Sequence, residues 1–217
     1  MLFRSACMAS MGFDVIGVDV DPSKIALLSQ GEIPFYEPGL DTLLAEQVKS
    51  GRLTFSTDFS LLADCDVHFI CVGTPQVKDG IAADLTYVNA ALEAIAPIAK
   101  AGSLVVGKST VPVGTAARLR ARLQEVNPAV DLAWNPEFLR EGFAVEDTLH
   151  PNRLVVGVVN DAAEIKLKDV YSQNIKEGVP WIRADLPTSE LVKVAANSFL
   201  ATKISFINAM EIGRAHV

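Results

Sequence analysis

The chain has 217 residues, half of them hydrophobic, and its 19 basic and 26 acidic residues give a net charge of -7. This ordinary globular composition predicts a substantial core and excludes a disordered or low-complexity protein. An acidic chain without a basic stripe argues against nucleic acid, or an anionic membrane surface, as a main partner.

Short apolar runs alternate with amphipathic stretches along the chain, a pattern typical of a parallel sheet covered by helices. The predicted strands are 14–19, 53–56, 67–72, 104–108, 131–134, 154–158 and 179–182. The predicted helices are 22–30, 40–50, 86–99, 114–124 and 162–173, and 6–12 has the pattern of the back half of another helix. We therefore predict a doubly wound, Rossmann-like α/β domain over residues 1–185.

The pattern changes after this domain to one long helix, which runs from Thr188 to about Ile212. Thr188 or Ser189 is the predicted cap, and Glu190 lies in the first turn. A single helix after an α/β domain more often leads to a further domain than ends a protein. We expect residues 186–217 to be the start of a central helix.

An acidic residue, Asp19, ends the first predicted strand, and Asp21, Pro22 and a helix follow it. A carboxylate in this place commonly accepts both ribose hydroxyls of an NAD adenosine, and it repels the extra phosphate of NADP. The alternative is a helix cap, which Asp21 can supply by itself beside Pro22 at the first helical position.

A dinucleotide-binding domain also needs a strand and a glycine-rich turn before that acid, and neither can be read in this sequence. The first strand is central in such a sheet. We therefore expect it to be missing here and its neighbours to keep unpaired edges inside the sheet.

Two turns at predicted strand ends offer flexible backbone and hydroxyl groups. Val72-Gly73-Thr74-Pro75 follows one strand, and Ser109, Thr110 and Val111 follow the next. Two such ends on one sheet form a crevice suited to a dinucleotide. Plain turns explain each segment equally well by itself, and Lys108 is interpreted as a solvated side chain or a member of this edge.

An acidic, turn-rich segment, 135–142, follows the strand that ends at Trp134. Its carboxylates Glu137 and Glu141 are four residues apart, so a helical turn would place them on one face. Such a pair could hold a water or a sugar hydroxyl, because a carboxylate accepts strong hydrogen bonds and can take a proton. The alternative is a solvated loop with an ion pair of Arg140.

On the long helix, Lys193 and Asn197 are one turn apart on one face, among small and apolar residues. An ammonium and an amide presented together suggest a polar ligand, and the lysine could steady a developing alkoxide. The alternative is a lysine that extends to solvent and an asparagine that pairs with backbone.

The three cysteines, Cys7, Cys65 and Cys71, are widely spaced and suggest neither a disulfide framework nor a metal cluster. The histidines also lack ligand spacing, so we predict no metal. A reducing, cytoplasmic setting is expected, and no apolar run has the length of a membrane span.

Six segments of the chain occur in the same order in one enzyme family: 18–25, 31–40, 72–75, 109–115, 135–142 and 193–203. The chain resembles the UDP-glucose/GDP-mannose dehydrogenase family over about residues 6–210. The resemblance implies NAD-dependent oxidation of a nucleotide sugar, UDP-glucose foremost, by two hydride transfers through a covalent thioester that water cleaves.

The resemblance also implies cofactor contacts. Asp19 and Lys24 would hold the adenosine ribose of NAD. The turns 72–75 and 109–111 would line the rest of the cofactor path, and Glu141 would lie near the nicotinamide.

Substrate and catalytic roles follow from the same resemblance. Substrate contacts would come from five consecutive residues: Glu137, Phe138, Leu139, Arg140 and Glu141. Glu137 and Thr110 would hold the hydrolytic water, while Lys193 and Asn197 would bind the substrate and steady the oxygen at C6.

The family's nucleophilic cysteine lies beyond the central helix, and none of the three cysteines of this chain matches it. The family's glycine-rich loop and uridine-binding domain are also unmatched, and residues 1–5 and 213–217 depart from the pattern as junction remnants would. We expect a fragment that does not complete the reaction alone, from a protein that dimerises through its central helix. Two alternatives stay open: a shortened, non-catalytic protein that binds a partner or nucleotide sugar, and a dehydrogenase for GDP-mannose or a UDP-N-acetylhexosamine.

Overall fold

The computed structural model describes residues 2–214, with side chains as far as Glu211. Residues 1 and 215–217, which belong to the two terminal segments expected to be junction remnants, lie outside the described residues. The strands are β1 (Val15–Val18), β2 (Leu53–Ser56), β3 (Val67–Ile70), β4 (Leu104–Gly107), β5 (Asp131–Trp134), β6 (Leu154–Gly157) and β7 (Trp181–Ala184).

Helices lie between most of these strands, as the sequence predicts, although Ala144–Leu149 is not among the predicted helices. They are α1 (Leu2–Ser10), α2 (Pro22–Ser29), α3 (Leu40–Ser50), α4 (Thr86–Ile95), α5 (Thr115–Val126), α6 (Ala144–Leu149), α7 (Asp161–Val170), α8 (Ser172–Lys176) and α9 (Leu186–Arg214), with a short 3-10 helix at Phe59–Leu62.

The strands form two sheets. β1 pairs with β2 in parallel, and a second sheet has the order β3-β4-β5-β6-β7. β3, β4 and β5 are parallel, whereas β6 pairs antiparallel to β5 and parallel to β7. The predicted α/β fold class is confirmed. The reversal at β6 was not predicted, because an apolar run has the same pattern in both directions.

The edges of β1 and β3 bear on the expected gap in the sheet. Within residues 2–214, β1 has a strand partner on one side only, which is β2, and β3 likewise pairs only with β4. Each strand therefore keeps one unpaired edge in the described part of the chain, as the sequence analysis expects.

The core lies mainly on the two faces of the larger sheet. β4 and β6 are buried at every position, which explains their continuous apolar sequences. One face packs against α4 and α5, through residues such as Leu92 and Leu119, and the other against α7 through Leu167. A third cluster fixes α1 and α3 to β1 and β2. This packing holds the carboxyl ends of β3, β4 and β5 at one edge.

The long helix begins earlier than its sequence pattern predicts. α9 starts at Leu186, and the Asp185 carboxylate accepts a hydrogen bond of 2.7 Å from the Thr188 amide. Asp185 is therefore the cap, and the assignment of the cap to Thr188 or Ser189 was wrong. Ser189 instead packs on β6, where a Cβ on Gly157 would lie 2.2 Å from the Ser189 hydroxyl. Only glycine at that position allows so close an approach.

A second boundary differs at Tyr171, which separates α7 from α8 within the predicted helix 162–173. The Tyr171 side chain is buried against the sheet. The helical pattern predicts the period correctly but not this interruption.

A buried histidine should make the fold sensitive to acid. His68 is 3% exposed, and burial, followed by the charge of Lys100, lowers its pKa to about 4. In the unfolded chain its pKa is about 6.5, so between pH 6.5 and 4 the unfolded state binds a proton that the folded state does not. The contribution of neutral His68 to the free energy of unfolding is complete above pH 6.5. It falls by about 3 kcal/mol as the pH drops to 4.

His68→Leu should remove that part of the acid sensitivity, and the exposed His150→Gln should leave it in place. Urea unfolding of both variants and of the unchanged chain at pH 7.5 and 4.5 measures the difference. An equal loss of unfolding free energy in the chain with and without His68 would contradict the assignment.

Candidate active site

The two hydroxyl-bearing turns predicted to form a crevice are joined directly. The Ser109 hydroxyl donates to the Val72 carbonyl at 2.7 Å, and the Thr74 hydroxyl donates to the Thr110 carbonyl at 2.7 Å. Ser109 and Val111 are buried, whereas Thr110 is half-buried. The ends of β3 and β4 therefore form one wall, with the Thr110 side chain at its surface.

The acid at the end of β1 is not used as the helix cap. Asp21 caps α2 by accepting from the Ser23 and Lys24 amides, at 2.9 and 3.3 Å. The Asp19 carboxylate accepts from the Asp21 amide at 3.2 Å and forms an ion pair with the Lys24 ammonium. Helix capping therefore accounts for the acidic residue at position 21. Asp19 is not needed as a cap and lies beside Lys24 at the end of the strand.

The segment 135–142 is an irregular loop, so the helical turn that would align its two carboxylates is absent here. Glu137 is half-buried and forms ion pairs with Arg4 and, at 3.8 Å, with the Lys108 ammonium, although neither contact has hydrogen-bond geometry. Glu141 is exposed and shows no ion pair or hydrogen bond within the described residues. Only Glu137 is directed toward the sheet.

The loop begins at a buried polar cluster. The Asn135 side-chain carbonyl accepts hydrogen bonds from Lys108 Nζ at 2.7 Å and from the Tyr171 hydroxyl at 2.6 Å. The side-chain Nδ2 of Asn135 donates to the Val155 carbonyl at 2.8 Å. Lys108 is 6% exposed, so the interpretation of Lys108 as a solvated side chain was wrong. Burial and the neighbouring Arg4 charge hold the pKa of Lys108 well below its usual range.

The other end of the loop is fixed by Glu37, a residue to which sequence reasoning gave no role. Its buried carboxylate accepts from the Gly142 amide at 3.2 Å and from the Ala144 amide at 2.7 Å, at the start of α6. Carboxylates are favourable at helix N-termini, where backbone amides lack partners. No local pattern could reveal this contact, since Glu37 and Ala144 are 107 residues apart.

The Arg140 guanidinium is committed to a partner outside the loop. It makes a two-pronged pair with the Asp147 carboxylate, with contacts of 2.6 and 3.0 Å, and its backbone amide donates to Asp147 at 2.9 Å. The alternative reading correctly includes an Arg140 ion pair. It fails to anticipate that hydrogen bonds hold the loop at both ends.

The helix α9 brings Lys193 to this loop. Lys193 Nζ lies 5.4 Å from the centre of the Phe138 ring, and burial lowers the pKa of this half-buried lysine. The Arg153 guanidinium lies 4.6 Å from the centre of the same ring. Asn197, one turn beyond Lys193, is exposed. Lys193 and the loop therefore meet, while Asn197 faces solvent.

A second buried carboxylate, Glu190, joins α9 to the wall formed by the β4 turn. It accepts from the Gly114 amide at 2.7 Å and from the Ala116 amide at 2.6 Å, at the start of α5. Burial raises the pKa of Glu190, and the backbone hydrogen bonds oppose that rise. Its position one turn before Lys193 fixes the part of α9 that faces Phe138. The sequence pattern places Glu190 in the first helical turn, but no local pattern reveals a contact with residues 74 and 76 positions away.

Among residues 2–214, no group of three or more His, Cys, Asp and Glu side chains has an arrangement that could hold a metal ion. None of the helices described there combines the length and apolar character needed to cross a membrane.

Comparison with known proteins assigns the chain to a family. The model of the UDP-glucose/GDP-mannose dehydrogenase family, NAD binding domain, matches residues 2–175. The chain belongs to the UDP-glucose/GDP-mannose dehydrogenase family. The resemblance seen in the sequence is thereby confirmed, and the cofactor is NAD, as predicted.

Three proteins illustrate the similarity within the UDP-glucose/GDP-mannose dehydrogenase family. A UDP-glucose 6-dehydrogenase of Rhizobium meliloti is 45% identical over 212 residues, which cover 95% of this chain and 48% of the relative. The structure of a UDP-glucose dehydrogenase from Pyrobaculum islandicum is 42% identical, with a TM-score of 0.86, and the match covers 94% of this chain and 48% of that one. A GDP-mannose dehydrogenase from Pseudomonas aeruginosa is 34% identical, with a TM-score of 0.89 and coverage of 95% and 49%. The chain therefore spans about half the length of each.

The residues at the strand ends fit NAD. Asp19 offers a carboxylate for ribose hydroxyls, and the turns after β3 and β4 carry small, hydroxyl-bearing or rigid residues that allow close approach of backbone.

The Glu37 contact predicts a stability effect. Glu37→Ala removes the acceptor of two amides at the start of α6 and should lower the free energy of unfolding by about 1–3 kcal/mol. Amide hydrogen exchange at Gly142 and Ala144 should accelerate. The control is Glu32→Ala, which removes an exposed carboxylate from the same segment. Equal exchange rates in the two variants would show that Glu37 does not hold the loop.

Proposed function

We propose that this chain is part of an NAD-dependent UDP-glucose 6-dehydrogenase, which oxidises UDP-glucose to UDP-glucuronate by two successive hydride transfers. The observation that carries the proposal is the meeting of three elements at one edge of the sheet. The β4 end brings Lys108 within 3.8 Å of Glu137, and α9 brings Lys193 against Phe138 of the same loop. The 42–45% identity to two UDP-glucose dehydrogenases supports this sugar.

The proposed cofactor contacts follow the strand ends. Asp19, assisted by Lys24, accepts the adenosine ribose hydroxyls. The wall formed by residues 72–75 and 109–111 approaches the rest of the cofactor, and the exposed Glu141 is near the nicotinamide. When bound, NAD supplies the hydride acceptor for each oxidation.

The proposed substrate contacts come from the loop. Backbone and side chains of Phe138, Leu139 and Glu141 hold the nucleotide sugar. Arg140 serves through the loop shape that its Asp147 pair maintains, because its guanidinium is already engaged. Asn197, which is exposed beside Lys193, contacts the sugar from α9.

The proposed proton and charge steps use residues at the loop. Lys193, whose pKa burial lowers, steadies the oxygen that develops at C6. Glu137 and Thr110 hold the water that cleaves the thioester, and the Glu137 carboxylate accepts its proton. The nucleophilic cysteine lies outside this chain. Burial raises the pKa of Cys7 to about 12, which opposes thiolate formation there.

A different nucleotide sugar is the main alternative. The TM-score of 0.89 to a GDP-mannose dehydrogenase favours GDP-mannose, at a lower sequence identity of 34%. A UDP-N-acetylhexosamine, and a non-catalytic protein that binds a nucleotide sugar or a partner, also stay open. A cytoplasmic location and a domain boundary between residues 185 and 186 stay predictions.

Substrate turnover tests the proposal. A longer protein that continues past α9 should form two NADH for each UDP-glucose, while GDP-mannose and UDP-N-acetylglucosamine should give little. The 217-residue chain alone should give none, because the family's glycine-rich cofactor loop, its uridine-binding domain and its nucleophile are all unmatched in this sequence. Two NADH from GDP-mannose and none from UDP-glucose would replace the proposed sugar, and NADH formation by the short chain would refute the fragment reading.

We also propose that the protein forms a homodimer through α9. Its second half carries side chains that are more than half exposed: Phe199, Leu200, Ile204, Phe206, Ile207 and Met210. Their spacing of three, four and seven places them on one broad helical face, which a second copy of the helix would cover.

A charge on that face should disrupt the dimer. Phe206→Glu places a carboxylate in the proposed interface and should raise the dissociation constant at least about tenfold, since a buried unpaired charge costs more than one kcal/mol. Sedimentation equilibrium measures it, with the neighbouring, exposed Ser205→Glu as control. A monomeric parent protein, or equal weakening by both variants, would contradict the proposed interface.

A further inference from the structure

The buried lysine at the end of β4 lies at the proposed site, but the function proposed above gives it no step in the reaction. Lys108 Nζ contacts the Asn135 carbonyl oxygen at 2.7 Å and the Tyr171 hydroxyl at 3.3 Å, and the centres of the Phe69 and Tyr171 rings lie 6.0 and 5.8 Å away. These neighbours are neutral. A buried ammonium is costly unless an opposite charge compensates it.

The opposite charge comes from the loop. Among the described residues, Glu137 supplies the carboxylate within 4 Å of Lys108 Nζ, at 3.8 Å from its Oε2 atom. Both side chains, together with Asn135, line a cavity of about 110 Å³ next to the loop. That volume has room for water molecules beside the carboxylate.

The same lysine also fixes the position of the carboxylate. Asn135, two residues before Glu137, is held by donors from β4 and from the α7–α8 junction, and it donates to β6 in turn. Every side-chain polar atom of Asn135 thus has a partner. Lys108 therefore holds the start of the loop in place, and it also supplies the positive charge that faces the Glu137 carboxylate.

We propose that Lys108 is a positioning residue for Glu137, which keeps the carboxylate ionised and directed at the cavity where the hydrolytic water would lie. The assignment of the water rests on the proposed function, whereas the coupling of Lys108 to Glu137 does not. A neutral Glu137 could not accept a proton from water, so the coupling determines the pH range of the hydrolytic step.

Other groups also act on this pair. From α1, Arg4 pairs with Glu137 and donates to the Cys71 thiol at the end of β3. Asp147 of α6 and Arg153, the residue before β6, line the same cavity. From the α7–α8 junction, the Tyr171 hydroxyl faces Lys108, and burial raises the pKa of this phenol. Tyr171 therefore stays neutral near pH 7 and leaves the carboxylate of Glu137 as the counter-charge.

The test is a carbon-13 NMR titration of the Glu137 carboxyl in the 217-residue chain, which needs no enzymatic activity. Lys108→Met removes the charge and keeps the length, and should move the titration midpoint upward by about one pH unit or more. Tyr171→Phe, which removes one hydrogen bond and no charge, should move it less. Lys100→Met, at a half-buried lysine paired with Asp66, should not move it. Because Arg4 also pairs with Glu137, the Glu137 midpoints with and without Lys108→Met are compared again in a chain that carries Arg4→Met.

The reciprocal measurement covers the case in which Lys108→Met does not fold. In Glu137→Gln, the nitrogen-15 signal of the Lys108 ammonium should titrate at lower pH, because coupling between two sites is mutual. An unmoved Glu137 midpoint in a folded Lys108→Met chain, or an unmoved Lys108 midpoint in Glu137→Gln, would overturn the proposal.

The kinetic consequence is tested in the longer protein. Lys108→Met should move the acidic limb of the pH–kcat profile upward and leave KM for NAD unchanged, a split that a general loss of structure would not produce. A moved NMR midpoint in a protein that oxidises no nucleotide sugar would reject the proposed function and keep the coupling. A moved midpoint with an unmoved acidic limb would reject the role of the coupling in hydrolysis.

Discussion

A buried ammonium group at the end of β4 constrains the rest of the site. Lys108 can remain charged in the interior only if oxygen atoms and a carboxylate come to it, and these belong to Asn135, Tyr171 and Glu137. The start of the loop 135–142 must therefore lie against the sheet. Gly107 assists this arrangement, since a Cβ there would lie 2.0 Å from the Trp134 ring that ends β5.

Two buried carboxylates connect this core to the outer elements. Glu37 holds the far end of the loop at the start of α6, and Glu190 holds α9 at the start of α5. Both use the unpaired amides of a helix N-terminus, where negative charge is favoured. Because Glu190 and Lys193 lie on the same helix, the Glu190 contacts also fix the position of Lys193 relative to Phe138. Backbone amides at the starts of α6 and α5 thus join segments that are 107 and 74 residues apart.

The sequence predicted the strands, most helices and the positions of the site segments, because apolar period, glycine and proline are local signals. The predictions for Asp19, the two turns and Glu137 depend on the same kind of local signal. The reversal at β6, the burial of Lys108 and the roles of Glu37 and Glu190 were missed. Each depends on a partner 27 to 107 residues away, or on strand direction, and neither leaves a mark in the local pattern.

Under the proposed function, Glu137, held by the β4 end, activates the water that ends the reaction. This role of Glu137 is tested by pre-steady-state NADH formation by Glu137→Gln in the longer protein, with UDP-glucose and excess NAD. A burst of two NADH per site followed by a slow steady rate is predicted, because both oxidations precede hydrolysis. Linear NADH formation at the unchanged rate, without a burst, would contradict the account.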